Sequence, residues 1–176
     1  MLNFCHVETT LPRLTEPKMP DTVIVPARPS DPDAAILIRR HLDQMAAQSP
    51  EESCHALDGS GLEGPDVQFF LLRRDGQAIG MGALKRLADN TRELKSMHTL
   101  SEARGSGAGR AILEHLLKLA RQENASGIYL ETGSTPEFLP ARKLYESYGF
   151  SECPPFGDYS EDPWSVFMHL DLQAAP

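Results

Sequence analysis

The run Arg104-Gly105-Ser106-Gly107-Ala108-Gly109-Arg110 constrains this chain more than any other segment. Upstream of it, TRELKSMHTL reads as a strand. Downstream, Ala108, Ala111, Ile112, Leu113, Leu116, Leu117 and Ala120 recur at helical spacing, with Arg110, Glu114, Lys118 and Arg121 between them. The run is therefore a strand-to-helix turn. Glycines there admit positive φ and close approach of a ligand, and the helix that follows presents unsatisfied N–H groups at the positive end of its dipole. Such a turn is an anion site, most naturally for phosphate. A merely flexible connection would need neither arginines on both sides nor a helix beginning at once. Two other glycine loops fail on spacing. A Walker loop requires Gly-Lys-Ser/Thr where this chain has Gly109-Arg110-Ala111, and the dinucleotide fingerprint would place glycine where Arg110 stands, after a βαβ unit that is missing here.

The anion site has to be local, because the chain as a whole repels anions. Its 25 acidic residues against 17 Lys and Arg give a net charge of −8, which opposes nucleic-acid phosphates and anionic lipid as partners. Cys5, Cys54 and Cys153 are odd in number and widely spaced, so they predict neither a disulfide framework nor a zinc site, and they suit a reducing cytoplasm. The six histidines show no paired ligand spacing, and no metal is expected. No apolar run approaches the ~18 residues of a membrane span, and MLNFCHVETTLPR does not read as a signal peptide.

Residues 1–21 carry three prolines and no hydrophobic period, which predicts a poorly ordered tail before one domain over 22–173. TVIVPAR reads as a first strand, and Asp31 or Asp33 caps a helix running to about Ala47. The polar stretch 49–66 reads as a mobile loop beside a site. VQFFLLRR, QAIGMGALKRL and TRELKSMHTL, joined at Asp75-Gly76 and Asp89-Asn90, form an antiparallel meander. The helix after the glycine turn is expected to end at Gly127, IYLETG to be a short buried strand, ARKLYESYGF to be a second helix stopped by Gly149, and SVFMHLDL to be a closing strand. A strand–helix–strand crossover after a meander implies a mixed sheet with helices on both faces, an α/β or α+β sandwich.

Three features in this order resemble the GCN5-related N-acetyltransferase (GNAT) superfamily. Arg104, Gly107 and Gly109 match its R/Q-x-x-G-x-G/A coenzyme motif, LKSMHTL matches its fourth strand, and ARKLYESYGF matches its helix ending in LYxxxGF. The specific part spans Glu93 to Phe150. The resemblance implies the acyl-CoA N-acyltransferase fold, acetyl-CoA as cosubstrate, and direct acetyl transfer to an amine. A small-molecule amine is the expected acceptor; protein or peptide N-acetylation and a catalytically silent acyl-CoA-binding module are the alternatives, and a homodimer is left open. It further implies that N–H groups of Gly105, Ser106, Gly107, Ala108, Gly109 and Arg110 hold the coenzyme's pyrophosphate. Met97, His98 and Thr99 would pair with its pantetheine arm as an added strand does, and Met97 or His98 would supply an oxyanion-binding N–H.

The amine needs a proton acceptor, since an alkylamine of pKa ~10.4 is almost wholly protonated near pH 7. Glu93, His98 and Glu131 are the candidates, with Glu93 first by resemblance; each is equally readable as a solvated or ion-paired residue. Simple alternation puts Glu93, Lys95, Met97 and Thr99 on one face of the strand and His98 on the other, and a bulge would reverse this. Tyr145 is the expected donor to the departing thiolate, by resemblance, against the reading of a core tyrosine. Where the family commonly has a coenzyme-binding asparagine this chain has Phe138, and Ser134 is the expected replacement.

Overall fold

A computed structural model describes residues 22–48 and 59–173. The expected tail 1–21, Cys5, Cys54 and most of the polar loop lie outside the described residues. The elements in chain order are β1 (Thr22–Pro26), α1 (Pro32–Gln48), the single-turn α2 (Gly59–Leu62), β2 (Val67–Arg74), β3 (Gln77–Arg86), β4 (Arg92–Thr99), α3 (Ala108–Gln122), β5 (Gly127–Gly133), α4 (Leu139–Ser147), β6 (Ser151–Glu152) and β7 (Ser165–Asp171). The seven strands form one sheet of order β1-β2-β3-β4-β5-β7-β6. Its pairs are antiparallel except β4 with β5, the crossover made by α3. This is the mixed sheet that the sequence implies.

Both faces are covered by apolar helix faces. On one, Ala34, Leu37 and Ile38 of α1 and Leu62 of α2 pack on Phe69, Leu71, Met81 and Ala83. On the other, Ile112, Leu113, Leu116 and Leu117 of α3 pack on Phe70, Leu72, Leu84, Leu94, Ile128 and Leu130. These four α3 side chains are each at most 2% exposed, and burial of such a side chain is favourable by roughly 1.5–3 kcal/mol. The close seat of α3 depends on two glycines of β3. A Cβ on Gly80 would lie 2.8 Å from Ile112, and one on Gly82 would lie 2.7 Å from Ile112 and 3.1 Å from Leu116.

Two boundaries differ from the sequence expectation. Helix α3 ends at Gln122, and Asn124, at φ 56°, makes the left-handed turn expected of Gly127. Asparagine tolerates that region. Gly127 instead opens β5, where a Cβ would lie 2.5 Å from His169 Nε2. The short strand β6, too brief to show a period, had no signal in the sequence.

Candidate active site

The site begins where two strands part. β4 and β5 pair at Arg92, Glu93 and Leu94, opposite Ile128, Tyr129 and Leu130, yet β4 continues to Thr99 and β5 to Gly133. Beyond Leu94 the strands diverge into a cleft of about 520 Å³, closed by the glycine turn, α4 and one face of α1. That volume is in the range of small-molecule sites.

A β-bulge decides which β4 side chains face where. Met81 pairs with His98 and Ala83 with Lys95, so Ser96 and Met97 together stand opposite Gly82. Ser96 takes φ 52° to accommodate the extra residue. Simple alternation is thereby corrected: Met97 faces α3 and α4, with its Sδ 3.9 Å from the Tyr145 hydroxyl, whereas His98 turns to α1 and packs on His41 at 5.4 Å between ring centroids.

At the opposite end, Gly107 caps α3 in the left-handed conformation at φ 84°, and no side chain caps the helix. The first acceptor–donor pair of that helix joins Ala111 N–H to Gly107 C=O, which leaves the N–H groups of Ala108, Gly109 and Arg110 without intrahelical acceptors. A Cβ at Gly105 or Gly107 would meet no protein atom within 4 Å, and both have positive φ. The turn is thus an open cradle of donors that suits an anionic phosphate group. Its flanks are braced: Arg104 donates to Gln44 Oε1 at 2.6 Å, Arg74 to Ser106 Oγ at 3.0 Å, and Arg110 lies over the Tyr148 ring. Ser106 therefore faces Arg74 rather than the cleft lining.

The three candidate proton acceptors occupy different places. Glu93 is 2% exposed and absent from the cleft wall; it pairs with Lys95 at 3.2 Å and accepts from the Tyr159 hydroxyl at 2.7 Å. His98 lines the cleft, but burial and then the Arg104 and Arg40 charges lower its pKa to about 4. Glu131 lines the cleft from β5, held by a 2.6 Å bond from Ser165 Oγ. Its charge contributes to raising the pKa of both Tyr145 and Tyr159, after burial in each case.

Tyr145, on α4, also lines the cleft and is raised to about 12, by burial first and by Glu131 second. Ser134 is not in the wall. Its hydroxyl donates to Pro163 C=O at 2.8 Å and its N–H to Trp164 C=O, fastening the chain before β7, while Gly133 and Phe138 take the wall positions. Residues that sequence reasoning missed are His41 and Lys95. Both line the cleft and are buried. The spacing of His41, Gln44 and Met45 is a helical face, but a mixed polar and apolar face carries no distinctive signal. Among the described residues no group of three or more His, Cys, Asp or Glu could hold a metal ion, and no helix is long and apolar enough to cross a membrane.

Comparison with known proteins agrees with this geometry. The family model described as "Acetyltransferase (GNAT) family" matches residues 36–150. The uncharacterized N-acetyltransferase YsnE of Bacillus subtilis is 44% identical over 136 residues, which are 77% of this chain and 90% of that protein. The uncharacterized N-acetyltransferase YedL of Escherichia coli is 40% identical over 141 residues, 80% of this chain and 89% of that protein. A solved Klebsiella pneumoniae structure assigned as an acyl-CoA N-acyltransferase is 28% identical, with a TM-score of 0.70 over 86% of this chain and 97% of its own. The split between β4 and β5, the donor cradle at the head of α3 and these likenesses lead to one identification: the chain belongs to the GNAT family of acetyltransferases.

Proposed function

We propose that the protein transfers an acetyl group from acetyl-CoA to the amine of a small molecule. The observation that carries this reading is a shared cleft in which the donor cradle of Gly105–Arg110, the Tyr145 hydroxyl and the Glu131 carboxylate all meet. The coenzyme would supply an activated thioester. The chain's part is to bind, orient and move protons. N–H groups at the head of α3 hold the pyrophosphate, and the β4 edge at Met97–Thr99, beyond its last pair with β5, offers main-chain groups to an extended arm. The same edge supplies an N–H toward developing negative charge.

Glu131 is the best placed of the three candidates to accept a proton from the amine. It is in the wall, whereas Glu93 is out of it and balanced by Lys95, and His98 is a weak base at a pKa near 4. Tyr145 holds a proton on the far side of the bulge. The small-molecule reading is supported by the depth of the acceptor half, where Lys95 and His98 are 8% and 9% exposed and reach only a ligand that enters.

The test is thiol release from acetyl-CoA across a panel of small amines and peptides. Turnover with small amines and little with peptides supports the reading. Selective peptide turnover replaces it with protein acetylation, and tight coenzyme binding without turnover on any amine replaces it with a binding module.

A further inference from the structure

Toward α4 the cleft wall is apolar: Leu94, Met97, Leu130, Leu144 and Tyr145 line it and belong to the α3 core or pack against it. Most of this wall has nowhere to retreat. Leu94 and Leu130, with Ile112 and Leu116 behind the sheet, are each at most 4% exposed, in an interior as dense as a crystal. Met97 differs in being only half-buried, so that its side chain meets the cleft directly. Its Sδ lies 3.9 Å from the Tyr145 hydroxyl, and its Cγ lies 3.3 Å from the point a Cβ on Gly82 would occupy. Ile112 and Leu116 come within 2.7 and 3.1 Å of that same point. A methionine adapts its shape readily, but with these two side chains packed behind it Met97 cannot withdraw toward α3. The thioether is therefore the end wall of this corner of the cleft.

We propose that Met97 sets the length of the acyl group: its side chain closes the space into which an acyl chain extends and confines the donor to acyl groups shorter than butyryl. This rests on the acetyltransferase reading above and adds the donor class. Around the reacting carbonyl carbon the oxygen turns to an N–H of the β4 edge, the sulfur to the Tyr145 hydroxyl, and the amine arrives from the side of Glu131. Only the acyl chain is apolar, and its burial is favourable on the apolar wall. Met97 Sδ touches the hydroxyl that faces the sulfur, and the acyl chain begins one atom beyond that sulfur, which brings it to Met97. An acetyl group places a single methyl there. A butyryl group adds two methylenes, and these need the volume that Met97 Cγ, Sδ and Cε fill.

The experiment is calorimetric titration of the full chain with coenzyme A, acetyl-CoA and butyryl-CoA, without any amine. The wild type is expected to bind butyryl-CoA about 10-fold or more weakly than acetyl-CoA, the scale of overpacking a filled site. Met97→Ala should shift the butyryl-to-acetyl ratio of Kd values about 10-fold or more in favour of butyryl, since each methylene newly buried is worth about 4-fold in affinity. Its affinity for coenzyme A, which carries no acyl group, should change little. Met97→Leu, which conserves volume, should keep the wild-type ratio, and Met97→Val serves in place of Met97→Ala if that variant does not fold. Equal binding of both acyl-CoAs by the wild type overturns the proposal. So does a Met97→Ala that weakens all three ligands alike, the mark of a merely structural residue, or a Met97→Leu as permissive as Met97→Ala. Each of these leaves the transferase reading standing. Turnover of no amine in the panel overturns that reading instead, and the titration still decides Met97. Failure to bind any of the three ligands overturns both.

Discussion

Replacing Tyr145 by Phe removes one oxygen from the cleft and little else. The ring stays against Phe150, at 5.9 Å between centroids, and the hydroxyl's partner is Met97 Sδ at 3.9 Å. A thioether is a weak acceptor, so little hydrogen bonding is forfeited, and deleting a buried hydroxyl that lacks a strong partner is close to neutral. Stability should change by less than ~0.5 kcal/mol, which in a chain of this size is a melting shift within about 2 °C.

The rate should move much more, and the raised pKa limits how much. A phenol near 12 is about 3.5 units less acidic than a thiol of ordinary pKa ~8.5, and full transfer of its proton to a free thiolate would be uphill by ~5 kcal/mol. In the proposed transfer the hydroxyl would therefore act chiefly as a hydrogen-bond donor to charge developing on sulfur, an interaction on the order of 1.5–3 kcal/mol. Tyr145→Phe is expected to slow the single-turnover acetyl transfer by roughly 10- to 150-fold, with KM for acetyl-CoA little changed. Melting temperature and single-turnover rate measured on one preparation check this. An unaltered rate in a normally folded variant would remove Tyr145 from the mechanism, and a drop of several degrees would show that its hydroxyl has a structural partner instead.

Gly107→Val should leave the core packing intact, since a Cβ there meets no protein atom within 4 Å, while the side chain strains the left-handed turn and fills the donor cradle, so that coenzyme A loses most of its stabilising effect in a thermal-shift titration. Gly82→Val should cost roughly 1–3 kcal/mol or more in urea unfolding, because even its Cβ lies 2.7 Å from Ile112. Stability should fall as pH drops from 6.5 toward 4, for below 6.5 the unfolded chain binds a proton at His41 that the folded chain refuses. His41 accounts for roughly 2–3 kcal/mol of the loss at pH 4.5, beside the share of His98, which is also lowered to about 4, and His41→Leu should remove only its own share from the urea-unfolding profile.

The fold was legible because its signals are local and redundant. The meander announces itself at Asp75-Gly76 and Asp89-Asn90, and α3 by an apolar face that recurs through Ala120. The glycine turn at the head of α3 was legible for the same reason, its residues being contiguous. What stayed hidden depends on neighbours distant in sequence. Gly80 and Gly82 read as ordinary strand residues until Ile112 lies over them, and Gly127 reads as a helix stop until His169 occupies the space beside it. Nothing in the spacing of Glu93 and Lys95 reveals that Tyr159, 66 and 64 residues on, bonds to both.

The bulge at Ser96 is where local counting and tertiary structure part most sharply, and the site turns on it. A serine at positive φ is disfavoured by about 1 kcal/mol or more, and here its buried Oγ also lacks a partner. In return, one extra residue reverses the faces of everything after it. Without it, Met97 would face α1 and His98 would face Tyr145 and α3. With it, the imidazole joins His41 on the α1 side and the thioether lines the side where Tyr145 holds its proton. The same kink accompanies the divergence of β4 from β5 past Leu94, which opens the main-chain edge. One strained residue thus sorts polar from apolar side chains along β4 and gives the cleft a polar side toward α1 and an apolar side toward α4.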